Sequence, residues 1–474
     1  MENWLTREIY DHSPVFLQNL YASVYGLQKK WCRYRGEFRK YYDFFAGAAG
    51  WSLADFQAYQ DEKVRGLIRN AYEHVPFHRR RMDEWKVRPD DIRGVVDLPR
   101  LPLLEKSEVR AAGREMLSKA VPEGRLLSAT TSGSTGYPLT LYWTRSAKQK
   151  EYGFHWARRR RHVIRGDSYG SVTGLQLVPS DSLKPPFWRH NWAANQTCYS
   201  LFHITPKTIP LYLEEMQRCQ HVYLEGYPSV IAMFARHLLE QGLDWPRPLK
   251  AYYVESEQLQ EEHRWQISQA FKTRVYNMYG QAEFACSITE YDCGHLHYDM
   301  DYGVIEFMPT GREGDCTVAE IVCTAFDNAA WPLIRYRVGD LVLIPDEPVQ
   351  CSENAGLVVR AIYGRTGHSL VSRDGRRINN ISVIIKKCRN IEAVQCVQHE
   401  PGLVEVHVVR SPGYAAQDEE NLLYQFHQKM GEMDFKFVYL DGVDQFERTP
   451  AGKFLSIISR IPPGQRLTDG VAGP

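Results

Sequence analysis

Neither sign of charge dominates this 474-residue chain: 58 basic residues face 57 acidic ones, for a formal charge of +1. That balance removes any general attraction to nucleic acid or to an anionic membrane surface. No apolar run approaches the length of a transmembrane segment. The opening MENWLTREIYDHS also lacks the basic-then-apolar layout of a secretory leader. Ten cysteines are scattered without a secreted-type framework, so reduced thiols in a cytoplasmic protein are expected. Internal repeats and low-complexity tracts are lacking too, which argues against a solenoid or an array.

What is present is ample material for a folded core, with 43% hydrophobic and 12% aromatic residues. The length exceeds what one core usually organises, so two or three domains are expected. Val64, Leu67, Ile68 and Ala71 recur at helical spacing and Pro76 ends the run, which predicts an amphipathic helix. LYLEEMQRC, VIAMFARHLLEQGL and EEHRWQISQAF read as helices, AYYV and RVYNMYG as short buried strands. Their alternation predicts an α/β body around a largely parallel sheet, flanked by helices. Beyond about residue 300 the stretches YGVIEFM, TVAEIVCTAF and LVLIP are strand-rich. EVHVVR, a helix around 419–430 and FKFVYL then predict a small α+β unit. A boundary near YGRTGHSL divides the chain into 1–363 and 364–474.

Two stretches are read by composition. PVFLQNLYASVYGL is expected to be a helix packed on the body, with an amphipathic membrane contact as the alternative. RRRR, Arg158–Arg161, is read as a solvated helix face, the alternative being a phosphate-rich ligand that reaches it.

Five motifs carry the chemistry. Thr131, Ser132, Gly133, Ser134, Thr135 and Gly136 form a glycine- and hydroxyl-rich loop that can turn several backbone N–H groups towards one anion. It differs from a P-loop, because no Lys-Ser/Thr follows the last glycine and a strand is expected next. YGQAE (Tyr279 to Glu283) follows a predicted strand, RYRVGD (Arg335 to Asp340) ends in an acid after glycine, Gly364-Arg365 sits at the boundary, and RTPAGK ends at Lys453.

In this order and at these separations the five resemble the adenylate-forming superfamily of acyl-CoA synthetases, luciferases and adenylation domains, over residues 128–454. LQNLYASVYGLQKKWCRYRGEFRKYY, AYEHVPFHRRR and RYRVGD resemble in particular the phenylacetate–CoA ligases and the ligase-like proteins of capsule biosynthesis. Leu139, where many superfamily members carry lysine, also resembles that branch.

The resemblance implies a large adenylation domain followed by a small mobile domain. It also implies a reaction in which a carboxylate attacks the α-phosphorus of ATP, and CoA or an amine or hydroxyl acceptor then displaces AMP. Attack of one anion on another needs alignment and charge neutralisation, which suits these residue types. By the same resemblance the 132–136 loop closes on the β- and γ-phosphates, Glu283 holds Mg²⁺, and Tyr279 with Gly280 borders the adenine. Asp340 accepts the ribose hydroxyls and Arg365 approaches phosphate or ribose. Lys453 bridges carboxylate and α-phosphate. The hinge position carries Gly367, followed by His368, where many members have Asp; glycine still permits the hinge rotation. Ser256 and Glu257 match the family's Gly/Ser-Glu turn loosely, and a structural turn is as good a reading.

Other readings stay open. The acyl pocket is expected between 174 and 227, where Trp188, His190, Trp192 and Tyr199 either fill core or stack on an aromatic acid. Cys286, Cys293, His295, His297 and Cys351 raise a zinc question, but without a paired C-x2-C knuckle they are read as buried or inert. A non-catalytic nucleotide-binding protein of the same fold would be betrayed by loss of Lys453, Glu283 or Asp340, and all three are present. No residue separates CoA from the other acceptors, and a homodimer is compatible with the sequence.

Overall fold

A computed structural model describes residues 9–461 except 131–138, 174, 176, 180–181, 206, 366–369, 374–376, 379–380, 382–387, 389, 431–432 and 449–453. The chain divides into two compact units, one of residues 1–338 and 342–362, the other of 339–341 and 363–474.

The first unit is built on a six-stranded sheet ordered Trp188–Asn191, Gln196–Ser200, Tyr169–Thr173, Tyr223–Gly226, Ala251–Val254 and Val275–Tyr276. All neighbours run parallel except the antiparallel edge strand Trp188–Asn191. All four residues of Ala251–Val254 are buried, as expected of a strand covered on both faces. Helices Ile209–Cys219, Pro228–Glu240 and Glu261–Phe271 alternate with these strands, as the sequence predicts. Helix Leu53–His74 buries Val64, Leu67, Ile68 and Ala71 and ends before Pro76. Its start is fixed by a reciprocal cap between Ser52 and Asp55.

Gly226 ends its strand at φ +151°, and a Cβ there would lie 2.1 Å from the Val172 carbonyl oxygen. Only glycine lets the strand turn this closely into the helix that follows. Two further sheets follow, an antiparallel one ordered Val358–Val359, Leu296–Tyr298, Ser287–Glu290, Met278–Gly280, and another ordered Gly303–Glu313, Cys316–Ala325, Tyr336–Pro345, Ala361–Arg365, whose first two strands pair antiparallel.

The second unit is the expected α+β fold. Its sheet is ordered Asp434–Leu440, Leu403–Arg410, Ile391–Glu400, Ile457–Ser459, with helix Ala416–Met430. Cys396, Val406, Val408, Leu422 and Phe426 form its core.

The arginine run meets the expectation of a solvated face only in part: Arg160 and Arg161 are exposed, whereas Arg158 and Arg159 are drawn inward. Helix Arg145–Arg159 lies against helix Phe38–Ala48 so closely that a Cβ at Gly153 would meet Tyr41 at 2.8 Å. Close approach draws the far end of the helix inside. Arg158 Nη2 donates to both Asp301 oxygens at 2.7 and 2.8 Å, and its Nε donates to Asp299 at 3.2 Å. Both aspartates are fully buried. Burial opposes the guanidinium charge, but Asp301 and Asp299 outweigh it and hold Arg158 protonated. Asp299 also accepts from Thr289 and Tyr291 at 2.6 and 3.0 Å. Arg159 lies 2.8 Å from Glu225, so these two arginines are taken up by protein carboxylates, not left for a ligand.

The helix Val15–Tyr34 does pack on the body, but with its polarity reversed. Its buried residues are Gln18, Asn19, Ser23 and Gly26. Arg189 donates to Gln18, and Asn19 accepts from the His190 N–H at 3.0 Å. Phe16, Val24 and Leu27 point outward, 66%, 59% and 60% exposed. The expected helix packed on the body is found, and polar pairing, not apolar burial, docks it.

Removing one partner of a buried, hydrogen-bonded ion pair strands the other charge. Arg158→Met is therefore expected to lower the unfolding free energy by about 3–5 kcal/mol, read by urea denaturation of the full chain.

Arg159 also serves a second acid at longer range, 4.0 Å from Glu255. Burial first, and the Glu225 charge second, push the Glu255 carboxyl from 4.5 up to about 7. Between those values the unfolded chain has released a proton that the folded state keeps, so stability falls as pH rises through the window. Glu255→Gln should raise the melting temperature near pH 8, with the gain vanishing below about pH 4.5. A gain that is the same at both ends of that range would count against this account.

Candidate functional site

The strand Met278–Gly280 pairs antiparallel with Ser287–Glu290, with Tyr279 opposite Ile288 and Gly280 opposite Ser287. The chain then turns sharply: the Phe284 N–H donates to the Gln281 carbonyl at 3.0 Å, and Phe284 sits at φ +54°. Gln281 braces this turn, donating to the Tyr279 hydroxyl at 3.1 Å and accepting from the Cys286 N–H at 3.2 Å. The turn delivers Glu283, which is 6% exposed.

Two residues that the sequence reading missed face that carboxylate. Tyr336 donates its hydroxyl to Glu283 Oε1 at 3.2 Å, and Lys106 Nζ lies 4.0 Å from the same oxygen. Tyr336 belongs to RYRVGD, flanked by two bracing arginines: Arg335 pairs with Glu306 at 2.8 Å, and Arg337 pairs with Glu105 at 3.0 Å and donates to Glu320 at 3.1 Å. Leu104 bridges to Tyr336, with its N–H on the Arg335 carbonyl at 2.8 Å and its carbonyl accepting from the Arg337 N–H at 3.0 Å. Helix Lys106–Ala112 begins immediately after, capped by Glu108. That bridge is what carries Lys106 to Glu283. The only sequence signal available was the capping pattern of LLEKSEV, which says where the helix begins and nothing of what it faces.

The turn after Ala251–Val254 holds Ser256 at φ +59°, an exposed non-glycine residue in the left-handed region. Glu257 accepts from the Ser229 N–H at 3.3 Å, at the start of helix Pro228–Glu240, where a carboxylate complements the helix dipole. Gln258 donates to the Ile362 carbonyl at 3.1 Å. The YGQAE strand and the Ser256–Glu257 turn thus lie at the ends of neighbouring segments of one unit.

Asp340 is buried in strand Tyr336–Pro345, following Gly339 at φ +81°. It falls in the short stretch that groups with the second unit. Arg365 ends strand Ala361–Arg365. Its side chain lies outside the described residues, as do Gly367 and His368. Thr131, Ser132, Gly133, Ser134, Thr135 and Gly136 also lie outside them. The strands on either side, Leu127–Thr130 and Thr140–Trp143, pair antiparallel with Thr130 opposite Thr140, so a strand does follow the loop. Lys453 is outside too, between Arg448 and Phe454, which bridge antiparallel.

The aromatic stretch divides. Tyr199 is core, 2% exposed, with its hydroxyl 2.9 Å from His221 and Trp188 beside it. His190 lies 3.2 Å from Glu215, while Trp192 is 52% exposed. The cysteine and histidine expectation needs correction. Cys293, His295, His297 and Cys351 come together, their ligating atoms all within 4.8 Å of one another. Strand pairing achieves what local spacing does not. Cys286 stays apart, buried beside Cys323.

Comparison with known proteins agrees with this architecture. Residues 370–460 match the CapK C-terminal domain. Protein CapK of Staphylococcus aureus is 26% identical over 463 residues, covering 96% of this chain and 99% of that protein. Phenylacetate-coenzyme A ligase of Thermus thermophilus is 25% identical over 351 residues, covering 67% and 72%. A crystal structure of 2-hydroxyisobutyryl-CoA ligase in the postadenylation state, in complex with R3-HIB-AMP, superposes with a TM-score of 0.64 at 17% identity, covering 84% of this chain and 90% of that one. The chain is thus similar in sequence to protein CapK and to phenylacetate–coenzyme A ligases, and similar in fold to an acyl-coenzyme A ligase.

Proposed function

We propose that the protein activates a carboxylic acid with ATP and passes the acyl group to coenzyme A. The observation that carries this reading is the complete, ordered motif set from Thr131 to Lys453 in a chain similar to phenylacetate–coenzyme A ligases over 351 residues. A carboxylate oxygen attacks the α-phosphorus, its bond forms as the bond to pyrophosphate breaks, and pyrophosphate leaves. The thiol sulfur then attacks the acyl carbon, the acyl–oxygen bond breaks, AMP leaves and the thiol proton passes to solvent.

The assignments are carried over from the family resemblance, motif by motif, and each suits the chemistry of its residue. The loop from Thr131 to Gly136 offers backbone N–H groups and hydroxyls to the outer phosphates, a polyanion for which it supplies no charge itself. Tyr279 and Gly280 take the adenine edge, with Ser256 and Glu257 alongside. Asp340 takes the ribose hydroxyls, and Arg365 takes phosphate or ribose. Lys453 neutralises charge between the attacking carboxylate and the α-phosphate, where electrostatic stabilisation is worth most. Gly367 supplies the hinge.

The donor set at Glu283 suits magnesium. It is a hard carboxylate whose Tyr336 and Lys106 contacts both fall on Oε1, and this ion commonly takes one or two carboxylates together with substrate phosphates. Glu283 would hold Mg²⁺, which supplies charge neutralisation on the nucleotide when bound. Lys106 and Tyr336 orient the carboxylate.

Pyrophosphate exchange measured over a panel of aliphatic and aromatic acids tests the first half-reaction. Exchange with at least one acid is expected, and its complete absence alongside intact ATP binding would overturn the reading. Product analysis with coenzyme A, amines and hydroxyl compounds then identifies the acceptor. Lys453→Ala should cut exchange by about 100-fold or more while ATP still binds. Glu283→Gln should lower exchange and raise the magnesium concentration needed for half-maximal rate. An unchanged magnesium dependence would remove Glu283 from its assigned role.

A further inference from the structure

We propose that Cys293, His295, His297 and Cys351 form a structural zinc site on the sheet that carries the YGQAE motif. The two thiols and two imidazoles place their ligating atoms within 4.8 Å of one another. Round a tetrahedral zinc with bonds of about 2.0–2.3 Å, such atoms stand about 3.4–3.8 Å apart, so only a slight inward movement is required. Two soft sulfurs with two imidazole nitrogens favour zinc over magnesium or calcium.

The local fold explains how these residues meet. Between strands Ser287–Glu290 and Leu296–Tyr298 the hairpin closes with the Gly294 N–H on the Tyr291 carbonyl at 2.9 Å, and Gly294 takes φ +84°. Cys293 therefore sits at the turn. His295 and His297 are two residues apart along an extended segment, so they project to one side. Cys351 arrives from the far end of the sequence because Val358–Val359 pairs with Leu296–Tyr298, His297 lying opposite Val358.

Three further observations point to a ligand. His295 Nδ1 is buried and has no hydrogen-bond partner. His297 is fully buried, and its Nδ1 lies 2.9 Å from the Gly356 carbonyl oxygen, which can only accept. The proton is therefore on Nδ1, and the Nε2 lone pair faces Cys293 Sγ at 3.6 Å. A backbone carbonyl fixing the tautomer in this way is the usual outer support of a zinc-bound histidine. Finally, the Glu353 N–H points at Cys351 Sγ at 3.5 Å, as suits a thiolate, and Glu353 itself accepts from the Cys293 N–H at 3.0 Å. Asn354 secures the loop, accepting from the Gly356 N–H at 2.7 Å and donating to Tyr291 at 2.8 Å.

On binding, each thiol gives its proton to solvent and becomes a thiolate, so two thiolates balance the divalent ion and no oxidant is needed. The zinc pins the 351–357 loop to the hairpin, on the sheet whose other edge carries Tyr279 and Gly280. A second grouping, His190, Glu215 and Cys219, carries no such case, because Arg218 already donates to Glu215 at 2.7 Å.

The test is metal analysis of the full chain purified under reducing conditions from zinc-supplemented culture. One zinc per chain is expected, with loss of that zinc in Cys293→Ser/Cys351→Ser. Should the double variant not fold, His295→Ala keeps three ligands and should lose zinc to a competing chelator at least about 10-fold more readily. Cobalt offered to the metal-stripped protein should give thiolate-to-cobalt charge-transfer absorption that saturates at one equivalent and is bleached by zinc. The proposal fails if the reduced protein takes up neither metal. It also fails if zinc persists undiminished in the variants, or if peptide mapping finds Cys293 and Cys351 joined as a disulfide under reducing conditions.

Discussion

One guanidinium holds the larger unit together. Arg158 enters the interior and is tolerable there because Asp299 and Asp301 meet it with bidentate and lateral hydrogen bonds. Those aspartates sit in the segment between strand Leu296–Tyr298 and strand Gly303–Glu313, so a single side chain ties a helix to the link between these two sheets. Lys150, on the same helix, repeats the device by donating to the Tyr302 and Phe326 carbonyls at 2.7 and 3.0 Å. The helix is thus fastened through charge at two levels, and its register against the sheets is fixed more tightly than apolar packing alone would fix it.

Much of the fold was legible because the relevant signals are local. Alternating helices and buried strands predict the parallel sheet, and Pro76, the Val64–Ala71 spacing and the strand-rich change after residue 300 all have direct counterparts. The failures share a cause. Arg158 and Arg159 look solvated in sequence, since hydrophilic character is a property of the residue whereas burial depends on which carboxylates tertiary folding brings alongside. The helix Val15–Tyr34 shows the converse, with Gln18 and Asn19 inside because polar partners await them, while Phe16 stays exposed beside Trp192, which is also exposed. Periodicity locates a helix and cannot say which face finds complementary chemistry.

The site divides in the same way. YGQAE, RYRVGD and the Ser256–Glu257 turn can be found by reading along the chain. Lys106 and the role of Tyr336 cannot, because they meet Glu283 through a bridge between Leu104 and Tyr336 that no spacing rule contains. The cysteine and histidine cluster is the sharper case. The sequence has no short-range knuckle, whereas Cys351 joins the cluster through strand pairing between remote segments.

These two themes meet in the residues between Asp299 and Cys351. From Arg158 the contacts pass through Asp299 to the Tyr291 hydroxyl, then to Asn354, to the Gly356 backbone and to the His297 ring. Every link is sheltered from solvent, so each group's only replacement for its neighbour would be nothing at all. A stretch spelled CSENAG, which reads like an ordinary surface excursion, is consequently wired into the most deeply buried ion pair among the described residues. Were that loop to peel away, the Tyr291 hydroxyl would keep its hold on Asp299 but lose Asn354 as its buried donor.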